Sequence, residues 1–85
     1  MDNFVEAIQI YSCNMDKATI DSTKDYLLKR YQIIGNYIAG KNPIWELTGK
    51  LEDVKNAIND NWLLRGLNNP EDIMSKETID LLGFN

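Results

Sequence analysis

The 85-residue chain has no histidine, one cysteine and two prolines. Histidine is the side chain whose unperturbed pKa lies nearest neutral pH, so the commonest general base and metal ligand is missing. Ser-His-Asp and Cys-His mechanisms are excluded within the chain. The lone Cys13 rules out an intrachain disulfide and a Cys-rich zinc cluster. It is expected as a small buried hydrophobe, and an unpaired cysteine fits a reducing cytoplasmic location. No stretch approaches about 18 consecutive apolar residues, so no membrane-spanning helix is expected. The start Met1-Asp2-Asn3-Phe4-Val5-Glu6 lacks the basic region of a signal peptide.

Several chemical motifs are also missing. Gly49-Lys50 is not a phosphate-binding loop: that loop needs Gly where Ile44 stands and Ser or Thr where Leu51 stands. The acid pairs Glu52-Asp53 and Glu71-Asp72 are adjacent, so on a helix they point about 100° apart and do not converge on one proton or metal. No calcium-binding Asp-x-Asp-x-Asp-Gly run occurs. The chain is therefore expected to have no catalytic residues, no cofactor and no metal, and not to be an enzyme.

What is present is ordinary globular material, 44% hydrophobic and 26% charged, enough for one domain over residues 1–85. Nine Lys and Arg stand against 13 Asp and Glu, a net charge of −4. Residues 1–41 balance; the excess acid lies in residues 42–85. An acidic half is a poor binder of phosphate backbones. Ten Asn and ten Ile give the chain the composition of an AT-rich source such as a phage or mobile element.

Helical spacing dominates the hydrophobic pattern. Phe4, Ala7, Ile8 and Tyr11 predict a first helix near residues 3–14. A strand is the alternative, but its alternation is broken because Glu6 shares a face with Phe4 and Ile8. Ile20, Leu27, Tyr31, Ile34 and Ile38 predict a long helix over 17–39, with Asp16 as a cap for an early start, or Ser22 and Asp25 resembling a capping box for a later one, and Gly40 and Pro43 as its stop. Gly35 inside it marks a close contact or a break. Ile44, Leu47, Leu51, Val54 and Ile58, three and four residues apart, predict a second long helix over 44–65, with Asn59-Asp60-Asn61 as the point where it would break and Gly66 as its end if it continues. Asn69-Pro70-Glu71-Asp72 predicts a helical turn. Ser75 to Leu82 predicts a last helix, with Ile79, Leu81 and Leu82 inside, closed by Gly83 with Phe84 folding back on Ile79. Together these predict an all-α single domain of four or five helices.

The function expected from this is a small acidic, non-enzymatic protein-interaction module, a regulator or inhibitor of a larger cytoplasmic protein. Its partner-binding residues are expected to be an aromatic anchor from Tyr37, Trp45 and Trp62 beside the acids Glu46, Glu52, Asp53 and Asp60, facing a basic partner surface. A homo-oligomeric structural subunit is one alternative, because a small domain cannot readily bury so many apolar faces. A DNA-binding regulator is the other. Nucleic acid is not the expected partner, since Lys24, Lys29 and Arg30 form the one basic cluster and lie on a strongly apolar segment.

Overall fold

A computed structural model of the chain describes residues 3–60 and 70–84. Its elements in chain order are β1 (Phe4–Tyr11), α1 (Lys17–Tyr31), β2 (Ile34–Ile38), β3 (Ile44–Lys50), α2 (Leu51–Asn59), a 3-10 turn (Pro70–Asp72) and α3 (Lys76–Leu82). The strands form one antiparallel sheet in the order β1-β3-β2. The expected all-α domain of four or five helices is thus wrong: the fold mixes α and β. β1 and β2 run the same way on either side of β3, joined through α1, so β1-α1-β2 is a split βαβ unit with the β2-β3 hairpin closing it.

The first predicted helix is β1, and a bulge explains the misreading. Val5 pairs with Gly49, but the next pair is Ile8 with Leu47, so β1 spends one residue more than β3 over this step. Ala7 takes up the difference at φ 51°, and its N–H donates to Thr48 Oγ1 at 3.0 Å. A bulge shifts the alternation by one residue. Val5 before it and Ile8 and Ile10 after it therefore all face the core, which is why a strict period of two failed.

The predicted 17–39 helix is cut at Tyr31. Its start is as expected: Asp16 Oδ1 accepts from Thr19 N–H at 3.0 Å, which holds the Asp16 carboxyl below its usual range. At the other end Gln32 turns left-handed, φ 61° and ψ 39°. Its N–H donates to Leu28 O at 3.0 Å, and Ile33 N–H donates to Leu27 O at 3.2 Å. Lys29 and Arg30 complement the negative end of the helix. The β-branched pair Ile33-Ile34 then leads into β2, and Gly40 and Pro43 belong to the hairpin loop instead of a helix end.

The predicted 44–65 helix divides at Lys50. Leu51, Val54 and Ile58 are a true helical stripe on α2, with Val54 and Ile58 buried. Ile44 and Leu47 joined that stripe by coincidence of spacing: on β3 they point to opposite faces. The continuation through Gly66 lies outside the described residues, as does Asn69. The last segment forms as expected in outline. Ser75 Oγ accepts from Thr78 N–H at 3.3 Å, Gly83 is left-handed at φ 77°, and Phe84 N–H donates to Ile79 O at 3.1 Å. Leu81, expected inside, is exposed.

Ile8 and Ile10 of β1 and Trp45 and Leu47 of β3 line one face of the sheet. They pack in a single core with Leu27 and Tyr31 of α1, Val54, Ala57 and Ile58 of α2, and Ile79 and Leu82 of α3. The helices therefore gather on that face. No described helix is long and apolar enough to cross a membrane.

Candidate interaction surface

Strand alternation sends the remaining side chains to the opposite face of the sheet. Three cross-strand rows follow from the register. Tyr11, Ile44 and Ile38 form one; Gln9, Glu46 and Asn36 form the next; Thr48 and Ile34 form the third, with Phe4 and Lys50 paired beyond it. An antiparallel sheet with one wet face ordinarily makes that face polar. This one exposes Phe4 by 65%, Ile34 by 59%, Ile38 by 45% and Tyr11 by 43%. Apolar side chains gathered on one face, unlike ones scattered singly, mark a candidate interaction surface. Glu46 sits half-buried in the polar row between the apolar ones. Among the described residues its carboxylate forms no ion pair.

The seven residues expected to bind a partner do not form one surface. Trp45 is completely buried in the core, so it is not an exposed anchor. Its neighbour Tyr37 lies on the same, helix-covered face. The two rings are 5.4 Å apart, and the Tyr37 hydroxyl donates to Cys13 O at 2.7 Å. Trp62 lies outside the described residues. Glu46 is on the open face, whereas Glu52 and Asp53 occupy the first turn of α2 on the other side of the sheet, favourably placed for its dipole. Asp60 ends α2 and accepts from the Tyr31 hydroxyl at 2.7 Å. Burial and that carboxylate push the Tyr31 hydroxyl well above the ordinary phenol range. Cys13, expected buried, is exposed.

A concavity of about 870 Å³ runs along α1, lined by Ser22, Thr23, Tyr26, Arg30, Tyr31 and Asp60 among others. It is wide open and rich in hydroxyls. Nearby, the basic cluster expected on α1 from Lys24, Lys29 and Arg30 is partly neutralised, with Lys29 Nζ 3.1 Å from Asp25 Oδ2. Among the described residues no three His, Cys, Asp or Glu side chains stand together in a way that would hold a metal ion.

Helical periodicity hid the open face. Its signal was nevertheless present over 44–50, where Trp45, Leu47 and Gly49 alternate with Ile44, Glu46, Thr48 and Lys50, a period of two. Comparison of the chain with protein families, with curated proteins and with solved structures finds no match.

Proposed function

We propose that the protein is a non-enzymatic interaction module that binds a larger protein through the open face of its sheet. The observation that supports this reading is the set Phe4, Tyr11, Ile34 and Ile38, exposed together on the face opposite the described helices. Burying such side chains against a partner gains about 25 cal/mol for each Å² removed from water. The module would act by occlusion, covering a site on its partner, in keeping with regulation or inhibition. Its setting is the reducing cytoplasm, where the exposed thiol of Cys13 persists unpaired.

The acidic character narrows to one position. Glu46 alone of the four predicted acids lies on this face; Glu52 and Asp53 become solubilising charges on α2. The test compares capture of binding proteins by four forms of the tagged chain: wild type, Phe4→Thr, Ile34→Thr, and a double charge reversal at Glu52 and Asp53. The same partner should be lost from the two open-face variants and retained by the charge reversal, with unchanged melting temperatures. Retention by the open-face variants and loss from the charge reversal would move the interface to α2 and reject this reading.

A further inference from the structure

The open face also constrains the shape and charge of what covers it. Three strands about 4.8 Å apart make a strip some 10 Å between outer strand axes, the width of one α-helix with its side chains. Along β3 the rows of Ile44, Glu46 and Thr48 follow one another at about 7 Å. On a helix, positions four residues apart follow at about 6 Å and stay on one face. The row at one end offers Tyr11, Ile44 and Ile38; the middle row offers a carboxylate flanked by the neutral Gln9 and Asn36; the next offers Ile34 beside Thr48, and Phe4 pairs with Lys50 one row further on. A helix laid along β3 would bury Glu46, and burying a carboxylate without a cationic partner is costly.

We propose that the open face takes one amphipathic α-helix of a partner protein, with Lys or Arg set on Glu46 and apolar residues four positions before and after it. The inference rests on the open face being the working surface, and it names the occupant. Such a helix would complete a three-layer arrangement, with the sheet covered on both sides. A second copy of the chain is the nearest competitor, because Ile20, Lys24 and Leu28 of α1 stand at the same spacing. Ile20, however, is packed against its own core, so although Lys24 and Leu28 are exposed, that stripe offers an apolar side chain on only one side of its lysine.

The experiment is a selection from a displayed library of helix-stabilised peptides with the exposed positions randomised. The full chain is the bait, and the Ile34→Thr protein is used for counter-selection. Wild type should enrich sequences with a basic residue midway between two apolar ones at four-residue spacing. Glu46→Lys should enrich an acidic residue at that middle position and bind the wild-type winners at least about tenfold more weakly. Enrichment of peptides without a basic middle residue, or of extended or proline-rich ones, overturns the helix assignment. So does single-stranded RNA binding to the same face, or a mass that doubles with concentration and reverts in Ile34→Thr. If the protein partner is lost from Phe4→Thr and Ile34→Thr while no helical peptide is enriched, the occupant is wrong and the face is right. If the partner ignores those two variants, the face itself is wrong.

Discussion

A Cβ placed on Gly35 would stand 2.8 Å from Leu27 Cδ1 and 3.2 Å from the Trp45 ring. Glycine at this point of β2 lets α1 settle onto the sheet, and the buried Trp45 leaves Leu27 little room to retreat. Gly35→Ala should therefore cost about 1–3 kcal/mol as overpacking, read from the urea midpoint; an unchanged midpoint would mean that Leu27 relaxes freely. Tyr31 carries a pH dependence. Its folded pKa is raised by burial and by Asp60, above an unfolded value near 10. The stability tied to its proton is intact below about pH 10 and is lost as pH rises toward the folded value. Stability measured across the alkaline range should fall less steeply in Tyr31→Phe than in wild type. Equal slopes would mean that the Tyr31–Asp60 contact does not persist in solution. The exposed cap Asp16 works the other way: its pKa is depressed, so its contribution is present above the unfolded value near 4 and drains away below it.

At the scale of elements, the decisive positions among the described residues are the two non-glycine ones with positive φ, Ala7 and Gln32. Gln32 separates α1 from β2 and gives opposite predictions for the two folds. In a continuous helix over 17–39, Gln32→Gly would cost about 1 kcal/mol. At a left-handed helix end it removes a Cβ clash and should instead stabilise by up to about 1 kcal/mol. The sign of the shift in denaturant midpoint decides between them. The cap at the last helix is simpler: Ser75→Ala removes the acceptor for Thr78 N–H and should cost about 1 kcal/mol, monitored by thermal melting. The bulge at Ala7 matters less for stability than for aim, because it keeps Ile8 and Ile10 facing the core after Val5 has done so.

At the scale of the whole molecule, two faces of one sheet have different fates. The covered face is where truncation hurts: Leu47→Ala should cost about 2–5 kcal/mol. The open face is where it should not. Phe4→Thr and Ile34→Thr keep or raise β propensity and remove side chains already mostly in water, so each should change stability by no more than about 0.5 kcal/mol. Equilibrium unfolding of all three separates a solvated face from a hidden extension of the core. A cost above 2 kcal/mol at Phe4 or Ile34 would place those side chains in packing and remove them from the interaction surface.

By itself the sequence determined the local punctuation. Asp16 as a helix cap, a last helix beginning at Ser75, Gly83 as its stop, the helical stripe Leu51–Val54–Ile58 and the turn at Pro70 each depend on neighbours within a few residues, so they are legible. The histidine-free composition and the lack of an apolar run were legible for the same reason. The candidate site was barely so. The sequence points to Glu46, but helical spacing carried across strand boundaries sets Trp45 and Tyr37 outside and Phe4, Ile34 and Ile38 inside. Apolar residues three and four apart fit a helix, and they also fit a strand that meets a helix or is shifted by a bulge. Only the tertiary structure separated these cases. Strand pairing joins residues as far apart as Phe4 and Lys50, and which side of a strand is buried depends on those distant partners and on where the helices pack. Burial of Trp45 and exposure of the opposite face are properties of that assembly, carried by no window of the chain alone.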